Sequence, residues 1–291
     1  LQGLGFSFFG TAVMTLATDI IPESRMSEGI GYLGLTQTIG RAFAPLLALA
    51  IKNAMGYQIA FTVVFGVATM TVISGINLIL VQRKKSKGEE VVHKFWDESP
   101  SFVNEKTKIP LWQRIVDRNA LKHALIMLFI TFSTSSVMTF FAGYAISKGI
   151  SNPGLFFTAN AIMIAVSRLS VGKISQKFGS VAVLTPGIAL ISLSLFGMFS
   201  TANLGILILS GALYGLGFGM VQPELNSLCV LSAEKNQRGL ANSTFFMAMD
   251  FGNAAGAFIW GVIASITGLG TIFIVAALVT GLTLLIYLFF W

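Results

Sequence analysis

The hydrophobic positions of this chain do not alternate with charge; they gather in blocks too long for a strand or a short amphipathic helix. An apolar stretch of about 18 residues or more reads as a helix that crosses a bilayer. Nine are predicted, at 1–21, 29–51, 57–81, 120–147, 152–172, 181–200, 203–229, 239–266 and 268–291. Short turns separate them: Pro22-Glu23-Ser24, Asn53-Ala54-Met55-Gly56, Ser151-Asn152-Pro153-Gly154 and Gly268-Leu269-Gly270. The exception is 82–119, a polar loop opening on Arg83-Lys84-Lys85-Ser86-Lys87. Within it, Ile109 to Arg118 puts Leu111, Trp112, Ile115 and Val116 on one helical face, with Gln113, Arg114, Asp117 and Arg118 opposite. That pattern predicts a helix lying flat on the membrane surface. The stretch before Ile109 reads equally well as a solvated linker. The expected fold class is all-α and polytopic.

Composition agrees with the pattern. Hydrophobic residues make up 54% of the 291 and charged residues 11%, where a soluble domain carries about 25% charged. The 30 glycines and 25 phenylalanines suit helices packed closely in lipid. Cys229 is the only cysteine, which excludes an internal disulfide and a cysteine-based metal site. The net charge of +7 is no sign of nucleic acid, because ten of the nineteen Lys and Arg lie between Arg83 and Lys122, beside a predicted span. If that loop is cytoplasmic, its side also collects Arg25, Arg168, Lys173, Lys177, Lys235 and Arg238, sixteen basic residues against Lys52 and Lys148 on the other. The basic side is expected to face the cytoplasm, which puts the C-terminus inside as well.

The segment 22–81 has a counterpart in 232–291: a short basic turn, a glycine-rich span, a small turn and another span. Arg238-Gly239 answers Glu28-Gly29, and Gly252 to Gly261 answers Gly40 to Ala48. Three spans precede the long loop and six follow it. A two-fold repeat of six predicts three more spans ahead of Leu1-Gln2-Gly3, so the chain is expected to be N-terminally truncated.

Several local patterns then resemble the major facilitator superfamily across essentially the whole chain. Gln2-Gly3 matches the end of its R-x-x-Q-G pattern. Gly40 and Pro45 keep part of an antiporter-associated G-x-x-x-G-P-x-x-G-G motif. Arg168, Gly172, Lys177 and Gly179 match its gating loop R-x-x-x-G-x-x-x-D-K/R-x-G, with Gln176 where the acid is expected. Tyr214 to Gly219, Gln222-Pro223, Arg238 to Phe246 and Asp250 look like its bacterial drug- and sugar-efflux branch. The resemblance implies spans four to twelve of a 6+6 plan: the second half of an N-terminal bundle at 1–81, a cytoplasmic central loop at 82–119 and a C-terminal bundle at 120–291. It also implies a cavity lined partly by Phe140, Tyr144, Tyr214 and Gln222, although each aromatic reads as well as a lipid or core contact, and a gate weakened by Gln176.

Ionisable groups inside a membrane are costly and mark candidate chemistry. Asp19 lies near Pro22, where it either reaches water or helps cap the turn. Arg41, about twelve residues into a span, either pairs with a carboxylate or lines a cavity touching substrate or proton. Glu224, following Pro223, is a proton-exchange candidate unless it reaches the hydrated mouth. Asp250, near the middle of its span, either binds a proton or is held by helix-to-helix hydrogen bonds. Gly211, Gly215 and Gly219, and also Gly252 and Gly256, are spaced for close helix packing.

The expected function is a secondary active transporter of the cell membrane, multi-pass and monomeric, exporting small organic molecules by alternating access with the proton as coupling ion. An importer of a sugar or other nutrient, or a non-transporting sensor on the same scaffold, is the alternative. No G-x-x-x-x-G-K-[ST] loop occurs, and neither a cofactor nor a metal is expected. His93 and His123 have no metal-binding spacing, so an intramembrane enzyme is not expected.

Overall fold

The computed structural model describes residues 10, 13–18, 20–86, 116–150, 152–200 and 203–290; inside them, the side chains of 38–39, 41–50, 52–53, 74–86, 236 and 290 fall outside the description. The described residues are helix and turn throughout, with no strand among them. After the helical stretch 13–18 and a 3-10 turn at Glu23–Arg25 come α1 (Met26–Ser86), α2 (Leu121–Ser147), α3 (Gly154–Phe178), α4 (Val181–Phe199), α5 (Leu204–Ser232), α6 (Arg238–Thr267) and α7 (Leu269–Phe290). Among the described residues, seven helical stretches are long and apolar enough to cross a membrane: Ala54–Ile73 within α1, and one in each of the other six. The expected span at 1–21 falls largely outside the described residues, and 29–51 forms the first part of α1. Gly56, at φ 83° and ψ 171°, breaks α1 inside the turn expected at 53–56; only glycine takes that backbone cheaply. The surface helix expected at 109–118 lies mostly outside the described residues. Its last part differs: 116–120 is bend and turn. Asp117, placed by pattern on the solvent face, is 3% exposed. It accepts hydrogen bonds from the backbone N–H groups of Asn119 and Ala120, capping the approach to α2.

The chain divides into two compact units, 1–38 with 109–291, and 39–108. In the second, Ala54–Ile73 shows apolar side chains on every side, Phe61, Phe65 and Met70 each being more than two-thirds exposed. Such a surface needs an apolar solvent, and a bilayer is one.

In the first unit the main helix pairs are α3 with α5, α2 with α6, and α4 with α5 and α7. Small residues set these approaches. A Cβ on Gly211, Gly215 or Gly219 of α5 would lie within about 3 Å of the backbone of Phe156, Asn160 or Ile164 of α3. The contacts climb both helices together, so α3 and α5 run parallel. Gly252 and Gly256 of α6 meet Leu128 and Phe132 of α2 in the same way. Lipid offers helices no hydrophobic gain for associating, so this close van der Waals contact is what holds them. Phe141, Phe156, Tyr214 and Phe273 fill the centre. Trp260 is buried with its indole N–H donating to Phe132 O at 2.6 Å. Phe258, Ile266 and Phe289 point outward, each at least 75% exposed, as lipid-facing residues do.

Candidate functional site

Five segments of the first unit converge at its basic end: 13–18, the start of α1, the last turns of α3 and α5, and the start of α6. Glu224 is at their centre, on the α5 turn after Pro223, and is 1% exposed. Pro223 has no N–H to offer the carbonyl one turn back, which loosens the helix there. Ser27 in the first turn of α1 donates its hydroxyl to Glu224 Oε2 at 2.5 Å, and Ser175 of α3 donates to Oε1 at 2.7 Å. Both carboxylate oxygens are thus held by hydroxyls from different helices. Arg168, Gly172 and Ser175 share one face of α3 by their i, i+4, i+7 spacing. Gly172 lets that face close on α1, for a Cβ there would lie 2.5 Å from Glu28 Cα.

Further along the same face, Arg168 is 6% exposed and donates through Nη2 to Gln222 Oε1 at 2.7 Å. The other end of that amide faces Met249 Sδ of α6 at 3.7 Å. The guanidinium lies over Gly34 of α1, where a Cβ would stand 2.5 Å from Cζ. Arg168, Gln222 and Met249 each lie about ten residues from the basic end of their helix, roughly 15 Å at ~1.5 Å per residue. That is half of the roughly 30 Å hydrocarbon core. Here a cavity of about 20 Å³, room for one water molecule, has a polar wall of Gln37, Arg168, Gln222 and Asn226 and an apolar one including Ile30 and Phe245.

A second polar cluster flanks the first. Arg238 opens α6 and donates to Glu23 Oε1 at 2.6 Å and to the carbonyl of Thr18 at 3.2 Å. Lys235 approaches the same Glu23 oxygen at 3.7 Å. Asn242 donates to Thr18 Oγ1 and accepts from Asn226, so a buried polar chain links 13–18, α5 and α6.

All-helical spans with buried ionisable groups at their meeting point are what a membrane transporter needs, and comparison with known proteins decides which kind. The family model for the Major Facilitator Superfamily matches residues 1–235 and, in an overlapping second match, 149–291. The chain belongs to the major facilitator superfamily. It is therefore a multi-pass membrane protein of a transporter family that moves small molecules. Curated relatives include a staphylopine export protein of Staphylococcus aureus, 23% identical over 96% of this chain and 69% of its own length. An uncharacterized MFS-type transporter of Methanocaldococcus jannaschii is 23% identical over 92% of this chain and 67% of its own. The uncharacterized MFS-type transporter YhhS of Escherichia coli is 21% identical over 98% and 65%. The chain spans about two thirds of the length of these relatives.

Within this family member, the residues expected from sequence fall in several places. Glu224 and Gln222 lie in the site. Arg168 and Gly172 belong to it too, but not to a loop: α3 continues to Phe178, so both sit inside a helix. Of the expected gating loop only Gly179 lies past the helix end, at φ 81°, while Lys177 is exposed in the last turn. Gln176, which stands where the motif has an acid, donates to Glu28 of α1 at 3.2 Å, so a carboxylate comes from across the helix pair. Tyr144 and Tyr214 are both buried. They are 4% and 2% exposed, Tyr144 donating its hydroxyl to Phe199 O and Tyr214 stacking on Phe218. Phe140 is half-buried against α6 near Gly261. Asp250 is exposed on α6 and takes no part in the Glu224 cluster. Asp19 and the side chain of Arg41 lie outside the described residues. Ser27, Ser175, Thr18 and Asn226 were not marked by the sequence, their one visible signal being that they are polar residues spaced a turn or two from motif positions; Asn242 lies within the segment Arg238 to Phe246 but was given no role.

Proposed function

We propose that this chain is the greater part of a secondary active transporter that exports a small organic molecule by alternating access, coupled to proton uptake at Glu224. The observation that carries the coupling is the carboxyl group itself: buried at 1% exposure, bonded on each oxygen to a hydroxyl of another helix. A proton arriving on one oxygen makes it a donor, so the serine link at that oxygen is reversed or released. Loss of the Ser27 link frees α1 from α5, the kind of local change that an opening step amplifies. Asp250 is a second proton candidate, and Asp19 and Arg41 remain candidates on sequence grounds alone.

The architecture we assign has nine spans here, the fourth to twelfth of a 6+6 plan, working as a monomer in the cell membrane. The two overlapping family matches support a repeated plan. The direction, outward, is supported by the relative named for staphylopine export and by the partial antiporter motif at Gly40 and Pro45.

Everted membrane vesicles carrying the protein, supplied with cell extract and energised to acidify their interior, test this reading. Mass spectrometry should find at least one solute accumulated above vector-only vesicles, and a protonophore should abolish that accumulation. Accumulation indifferent to the protonophore sinks the coupling; no accumulated solute sinks the export reading.

A further inference from the structure

Hydrogen-bond polarity in the second cluster fixes which end of Asn226 is left for the mid-membrane cavity. Thr18 spends its hydroxyl proton on the carbonyl of Thr15 at 2.9 Å, so its oxygen can serve Asn242 only as an acceptor. Asn242, 0% exposed, accordingly turns Nδ2 to Thr18 Oγ1 at 3.2 Å and leaves its Oδ1 for Asn226. Asn226 meets that oxygen with its own Nδ2, at 3.3 Å. Its Oδ1 is what remains. Asn226 is 2% exposed and lines the cavity, and this oxygen has no hydrogen-bond partner among the described residues. Turning the amide over would set oxygen against oxygen at Asn242, so the end left for the cavity is an acceptor.

A buried acceptor left without a donor is costly, and the space beside it bounds what can supply one. A volume of about 20 Å³ holds one water and no organic group. We infer that the cavity is a binding site for a single water molecule, which donates to Asn226 Oδ1. An anion of that size brings no proton to the oxygen, and a metal cation finds no carboxylate among the described lining residues. The carboxamides of Gln37 and Gln222 in the same wall carry N–H groups for the water's own oxygen. The water thus reaches the roughly two to four partners that hold a buried one in place. Met14, Gln37, Asn226 and Phe245 come from four different segments, and the water fills the gap their side chains leave. The line of hydrogen bonds from Thr15 through Thr18, Asn242 and Asn226 then ends on a molecule that can accept as well as donate. This site holds whether or not the chain transports anything.

X-ray radiolysis of the whole chain in detergent provides the test, with a scavenger removing hydroxyl radicals from bulk solvent. Radicals born from a buried water attack the side chains beside it. Phe245, 1% exposed, lines the cavity, whereas Phe141, 0% exposed, packs in the aromatic core and does not. Mass spectrometry should find Phe245 oxidised well above Phe141. Asn226→Leu sets an apolar group against the water and should abolish that excess. Asn226→Ser also gives up the Asn242 link, but it keeps an acceptor and leaves room, so the excess should survive. The variants are compared at equal amounts of folded protein, judged by melting in detergent. Phe245 oxidised no more than Phe141 in wild type would mean a dry cavity and overturn the inference. An excess that persists in Asn226→Leu would overturn it too, as would one lost equally in Asn226→Ser, which would trace the effect to the Asn242 link.

Discussion

At the scale of single residues, Glu224 is held by two hydroxyls, and its behaviour should depend on both. Glu224→Gln keeps the shape and one acceptor oxygen but cannot bind or release the proton. It should lose accumulation driven by a pH gradient while still exchanging cargo across vesicles with no gradient; equal loss of both activities would make Glu224 a packing residue. Ser27→Ala and Ser175→Ala each leave a buried oxygen short of a donor, at about 1–3 kcal/mol. Glu224 was legible in the sequence because a carboxylate after a proline, inside an apolar run, has no ordinary reason to be there. Its serines were not. Ser27 and Glu224 lie 197 residues apart, and hydroxyls are common in membrane helices, where they bond to their own backbone, as Ser133 and Ser136 do here. Only tertiary packing singles out the two that turn to Glu224.

Among the helices, spacing spoke more clearly than motif. The four-residue glycine steps on α5 and α6 pointed to close approach, and each meets the backbone of its partner helix. Gly215→Val should therefore destabilise by about 1–3 kcal/mol or more through overpacking, read as a lower melting temperature in detergent. Gly143→Val, in α2, where an added Cβ meets nothing within 4 Å, should leave it nearly unchanged. Equal tolerance at the two positions would mean that α3 and α5 do not pack as described. The gating motif was less informative about place. By resemblance it assigned Arg168 to a gating loop, yet the helix runs on to Phe178 and ends at Gly179, with φ 81°. The span predicted at 152–172 already held Arg168, so the apolar pattern placed it better than the motif, inside the membrane, where an arginine is itself a functional hypothesis.

For the molecule as a whole, the long-range feature read from sequence was sidedness: sixteen basic residues against two. Basic residues near span ends are retained on the cytoplasmic side during insertion, so the end of the first unit bearing Lys177, Lys235 and Arg238 should be cytoplasmic. The α2–α3 turn holding Asn152 should face outward. The Glu224 cluster lies at the basic end, so sidedness also decides which mouth the Ser27 link would close. Cys229 makes a direct check possible, because it is the only cysteine and is fully buried, which leaves the wild-type protein silent to a membrane-impermeant maleimide. Asn152→Cys and Lys235→Cys each add one exposed thiol at opposite ends of the unit. In intact cells the reagent should label Asn152→Cys alone, with Lys235→Cys reacting only after permeabilisation. The reverse pattern would invert the protein and move the closed mouth to the outer face.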